Sequence, residues 1–169
     1  PMLRLSLPVI AADLGWISMG LVDTLMVGPL GPAAIGAVGT GSILYMAVMM
    51  VGFGVLFALD TFVSRSFGAG RIDECHRWLF AGLQLAAILC VLLLGLSALL
   101  IATLPALDLH PDVLRLITPY LKALLWSTPP LLVYAVLRRY LQAMHIVRPM
   151  MYALVVANLV NAGVNWLLI

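Results

Sequence analysis

Residues 78–104 read WLFAGLQLAAILCVLLLGLSALLIATL, a run without a single Asp, Glu, Lys or Arg. At about 1.5 Å of rise per residue, a helix of that length exceeds the roughly 30 Å hydrocarbon core of a bilayer. The run is continuous and lacks the apolar–polar alternation of a barrel strand, so a transmembrane helix is predicted. Working outward, similar runs cover 5–27, 42–63, 120–137 and 150–169. The whole chain agrees with them: 64% of its residues are hydrophobic and 9% are charged, against roughly 25% charged in soluble domains. Its mean hydropathy is +1.14. The expected fold class is an all-α membrane protein, a polytopic helical bundle of about five transmembrane helices, with the lipid bilayer as its first partner. The net charge of +2 forms no basic face, because the Arg and Lys residues fall in short clusters between apolar runs. No nucleic-acid partner is expected.

Punctuation between the runs supports the same division. Gly28, Pro29, Gly31 and Pro32 break the first connection, Pro105 helps to close the third run, and Pro119 and Pro149 fall near the starts of the fourth and fifth. Pro129 and Pro130 lie inside the fourth, where a kink or an unwound turn is expected. Arg4, Arg65, Arg71, Arg77, Arg138, Arg139 and Arg148 collect on one side of the alternating topology, against Arg115 and Lys122 on the other. The positive-inside rule therefore puts the N-terminus in the cytoplasm, with the plasma (inner) membrane as the expected location. The first run is too long for the apolar region of a cleaved signal peptide and is read as a retained helix. Cys75 is expected in a cytoplasmic loop and Cys90 in mid-span, too far apart to pair. His76, His110 and His145 fall in different connections, so no metal and no cofactor is expected. The chain begins with Pro1, ends inside an apolar run and has an odd number of spans. That is expected of a fragment of a larger transporter or membrane enzyme.

An ionisable residue at membrane depth is a functional-site candidate by default. Asp23 is such a residue, in the outer half of the first run among Gly20, Thr24 and Gly28, whose small size permits close approach. Its bland alternative is a carboxyl satisfied by structural hydrogen bonds. Asp13 is read as solvated at a cavity floor, and Asp60 as an interfacial acid paired with a nearby arginine. Asn158, Asn161 and Asn165 share one helical face of the last run, within an arc of about 60°. Interhelical amide hydrogen bonds are the bland reading, to which Asn158 is equally suited. Amides at i and i+4, as in Asn161 and Asn165, can also orient a carboxylate in its charged or protonated form. Tyr45, Met46, Met49, Met50, Trp126 and Tyr134 are candidates to line a cavity for greasy or aromatic cations, though most such residues simply pack.

Four stretches resemble the multidrug and toxic compound extrusion (MATE) transporters. SLPVIAADLGWISMGLVDTLMVG at 6–28 is similar to the opening helix of that family, with its V-D-T-x-M-x-G signature. ALDTFVSRSFGAGR at 58–71 is similar to its A-L-x-T followed by F-G-A, and RYLQAMHIVRP at 139–149 to its arginine-led L-Q-A run with a proline opening helix five. Residues 158–166 resemble its N-x-x-x-N-W ending. The resemblance covers essentially the whole chain, in order. It implies a twelve-helix transporter of two six-helix lobes, of which this chain would be most of the first, with the second transmembrane lobe following in the same polypeptide. It also implies a non-enzymatic antiporter that exports bulky, cationic or drug-like small molecules in exchange for H+ or Na+. The cation-responsive acid is carried onto Asp23, and its amide partners onto Asn161 and Asn165. Arg65 stands where the family often has Gln. Asn165 stands where some archaeal members have Asp, a departure that favours H+ over a bare Na+ in this lobe.

Two other functions are weighed against antiport. A lipid-linked oligosaccharide flippase of the same superfamily would favour more cationic residues in the cavity than are found here. A membrane-embedded hydrolase would need a base beside Ser42 in the stretch Gly39, Thr40, Gly41, Ser42, and no histidine lies within a span.

Overall fold

The computed structural model describes residues 2–107, 109–146 and 148–168. Side chains at 2–9, 11–13, 16, 19, 148, 165 and 168 lie outside the description. Among the described residues there is no strand. The helices are α1 (Met2–Val27), α2 (Pro32–Leu56), α3 (Ala58–Gly68), α4 (Ile72–Thr103), α5 (Pro111–Leu125), α6 (Thr128–Ala143) and α7 (Arg148–Leu168). Short 3-10 turns occupy Gly28–Leu30 and Leu104–Leu107. The chain is an all-α membrane protein. Pro32–Gly68 and Ile72–Leu107 are each long and apolar enough to cross a bilayer, and α5 and α6, bent by 52° at their junction, reach that length and apolarity when taken together.

Two compact units partition the chain: Pro1–Ile35 with His145–Ile169, and Gly36–Met144. In the first, α1 packs along α7. Gly15 lies against α7, since a Cβ there would lie 2.7 Å from Leu154 Cδ2 and 3.6 Å from Asn158 Nδ2. A larger side chain there would require the end of the Leu154 side chain to move aside.

In the second unit α3, α4 and α6 pack on one another around a core that includes Met49, Val63, Leu93, Leu132 and Val136, all fully buried. Gly82 of α4 lets Leu59 of α3 and Val136 of α6 close in, at 3.0 and 3.2 Å from where its Cβ would be. Outward-facing Ile88, Val91 and Leu92 on α4 remain exposed, as befits a helix solvated by lipid.

The helices differ from the apolar runs in instructive ways. The second run becomes Pro32–Gly68, longer at both ends and interrupted by a turn at Phe57. The third extends back to Ile72 because Asp73 and Glu74 suit a helix N-terminus, where acids meet unpaired N–H groups. Cys75 accordingly lies on α4, buried, and not in a loop. The fourth run straddles two helices. Pro129 and Pro130 sit in the first turn of α6 and lack the N–H groups that the carbonyls of Leu125 and Trp126 would need to continue α5. Pro119, expected at a helix start, lies inside α5, where it gives no N–H to the Arg115 carbonyl. Helix α3 stops at Gly70, whose φ of +71° turns the chain so that Arg71 N donates to Ser66 O at 3.0 Å.

Candidate functional site

Asp23 stands on the last two turns of α1, half-buried, and Asn161 stands half-buried on α7. Each is engaged in a polar or electrostatic interaction. Neighbouring hydroxyls on α1 are satisfied within their own helix: Ser18 Oγ donates to Leu14 O at 2.8 Å and Thr24 Oγ1 to Gly20 O at 2.9 Å. Asn158 Nδ2 donates to Leu154 O of its own helix at 2.9 Å. It therefore lies beside Gly15 with one of its two amide protons in use. Asn165 is on the same helix, and its side chain, like that of Asp13, lies outside the described residues.

The candidate cavity-lining residues belong to the other unit and have distinct surroundings. Tyr45 is buried in the core, Met46 and Tyr134 are half-buried, and Trp126 is 86% exposed at the α5–α6 break. Met49 is fully buried and Met50 faces outward. The Tyr45 hydroxyl lies 3.0 Å from Thr128 Oγ1 and 3.2 Å from Ser127 Oγ. Ser127 Oγ already donates to Leu124 O at 2.7 Å. One proton per hydroxyl then fixes the direction of the chain: Thr128 donates to Tyr45, Tyr45 to Ser127, and Ser127 to the carbonyl at the end of α5. Tyr45 thus ties α2 to the break between α5 and α6. A second tie follows a turn earlier, where Ser42 Oγ and Tyr120 Oη lie 2.8 Å apart.

Asp60 on α3 meets Arg139 on α6, with Arg139 Nη1 donating to Asp60 Oδ2 at 3.0 Å. The Arg139 guanidinium also lies over the Phe57 ring, 4.0 Å from its centroid. The arginine partner comes from 79 positions away and not from Arg65, five residues on. Sequence spacing alone carries no signal for it. Among the described residues no group of three or more His, Cys, Asp or Glu side chains is placed to hold a metal ion.

The MatE family model matches residues 8–167. The chain belongs to the MatE family. Relatives agree with this across nearly all of the sequence. The chain is 34% identical over 166 residues to a probable multidrug resistance protein NorM of Geobacillus kaustophilus (strain HTA426), covering 98% of this chain and 36% of that protein. It is 31% identical over 171 residues to the multidrug resistance protein MdtK of Cronobacter sakazakii (strain ATCC BAA-894), covering 99% of this chain and 37% of the relative. A solved structure of a MOP superfamily transporter from Pyrococcus furiosus Vc1 (DSM3638) superimposes with a TM-score of 0.81 at 19% identity. The match covers 96% of this chain and 36% of that one. This MatE chain therefore spans little more than a third of the length of its relatives, and its fold is that of a membrane transporter lobe.

Proposed function

We propose that the chain is most of the first lobe of a secondary antiporter that exports bulky cationic or drug-like compounds in exchange for H+, with Na+ as the alternative coupling ion, by alternating access. The observation that supports it most is the register of α1 on α7. The expected topology alternates through five crossings, so α1 and α7 run parallel. Gly15 is level with Leu154 and Asn158. Carried eight residues on, or about 12 Å along the axis, that register would bring Asp23 level with the turn between Asn161 and Asn165, which is the arrangement proposed.

An acid with amide partners is suited to changing its charge inside a membrane. Asparagine donates N–H to a carboxylate and accepts O–H from a carboxylic acid, so either protonation state has a partner. Loading a proton removes one charge at membrane depth and changes which packing of the helices is favoured. Losing it restores the other. A site that binds differently in two conformations is sufficient to bias them. The cytoplasmic N-terminus and the inner-membrane location are part of the same proposal.

The test is efflux by the full-length protein in proteoliposomes loaded with a cationic dye, under an imposed pH gradient and, separately, a Na+ gradient. Efflux driven by the pH gradient is expected. Dye retention under both gradients, with translocation of a lipid-linked sugar in its place, would move the assignment to a flippase.

A further inference from the structure

We propose that Asp60, Arg139 and Phe57 form a latch that holds the half-helix α3 against α4 and α6, and that when the latch opens the chain bends at the Phe57 joint and the Asp60 end of α3 moves off α4 and α6 while its Gly70 end stays tethered. The joint is where the second crossing breaks: Phe57 interrupts the helix between α2 and α3. The same Phe57 supplies the ring under the Arg139 guanidinium, so one arginine grips both the joint and, three residues on, the first turn of the moving helix.

The grip is a single point. Asp60 Oδ2 takes the arginine, while Oδ1 is shielded from solvent and has no hydrogen-bond partner among the described residues. A bidentate pair would be harder to break. At its far end α3 is tethered to α4 by the tight turn at Gly70 and by Ser66 Oγ, which donates to Glu74 Oε2 at 3.1 Å. Tethered there and latched at Asp60, α3 is built to separate from the Asp60 end.

Cys75 reports this movement directly. It is fully buried under α3, its Sγ 3.7 Å from the Val63 carbonyl. Lifting Val63 uncovers the thiol, whereas Cys90, half-buried and fifteen residues or about 22 Å further along α4, is the internal control. The role of such opening in a transport cycle rests on the antiport reading; the latch itself does not.

The experiment is N-ethylmaleimide labelling of the full-length protein in membranes, with Cys75 and Cys90 followed separately by peptide mass spectrometry. Asp60→Asn preserves shape and removes the charge. It should speed labelling of Cys75 by about tenfold, as expected for loss of one partly screened charge-assisted hydrogen bond, with Cys90 unchanged. The exchange Asp60→Arg with Arg139→Asp should return Cys75 to within about threefold of wild type. Phe57→Leu, which keeps an apolar side chain without the ring, should give a smaller rise and serves if Asp60→Asn is not recovered from membranes. Wild-type labelling rates in Asp60→Asn or Phe57→Leu, or equal acceleration at Cys75 and Cys90, overturn the latch. Normal latch behaviour in a wild-type protein that drives no efflux would leave the latch standing and remove the antiport reading.

Discussion

Tyr45→Phe removes one oxygen atom and leaves the ring in place, so its effect isolates the hydroxyl chain at the α5–α6 break. Thr128 is fully buried and gives its proton to Tyr45. Without that acceptor its hydroxyl is stranded, which costs about 1–3 kcal/mol. Ser127 keeps its bond to Leu124 O and contributes little to the loss. Thr128→Val removes the donor and keeps the volume. Tyr45 still donates to Ser127, so a smaller loss of about 0.5–1.5 kcal/mol is expected. Because both changes break the same bond, the double variant should fall short of their sum by about 1 kcal/mol. The assay is the unfolding midpoint of the purified full-length protein on titrating SDS into mixed micelles. Stability of Tyr45→Phe within about 0.3 kcal/mol of wild type, or strict additivity in the double variant, would refute the proton direction assigned to the chain.

Two further outcomes follow from the topology and the prolines. A cysteine at Asp73 should be shielded from membrane-impermeant thiol reagents in intact cells, while one at His110 should react; the reverse pattern would invert the orientation and place Asp23 in the inner half. Pro129→Ala with Pro130→Ala restores two N–H donors to the end of α5, so the 52° bend should relax and transport slow by several-fold with the protein still folded. Unchanged kinetics would make the bend incidental.

How legible the fold was in the sequence depended on which force shaped each part. Burial in lipid is a local demand, and it shows in Pro32–Gly68 and Ile72–Leu107, each long and apolar enough to cross a bilayer, and in the bent pair of α5 and α6. The break at Pro129 and Pro130 was visible because a missing N–H is a property of the residue itself. The joint at Phe57 was not, since no proline marks it; an arginine from α6 over its ring is a tertiary contact. The same limit explains Asp60. Its need for an arginine could be read from its position, but the identity of Arg139 rests on how α3 and α6 pack. Tyr45 shows the limit differently: an aromatic ring in a span suggests a cavity wall, whereas its hydroxyl is occupied by Ser127 and Thr128. Pro119 and Cys75 were misplaced because helices run on past the apolar stretch into the interface, where hydropathy falls but hydrogen bonding continues.

The proposal that Asp23 couples ion movement to export is tested most directly by Asp23→Asn in the full-length protein. The measurement is dye efflux driven by a pH gradient in proteoliposomes, with protein content matched to wild type. The substitution preserves volume and removes the titratable charge, so it should abolish driven efflux while leaving the protein in the membrane. Asn161→Ala and Asn165→Ala, which each remove one amide and keep the acid, should weaken efflux without abolishing it. Full proton-driven efflux by Asp23→Asn would contradict the account.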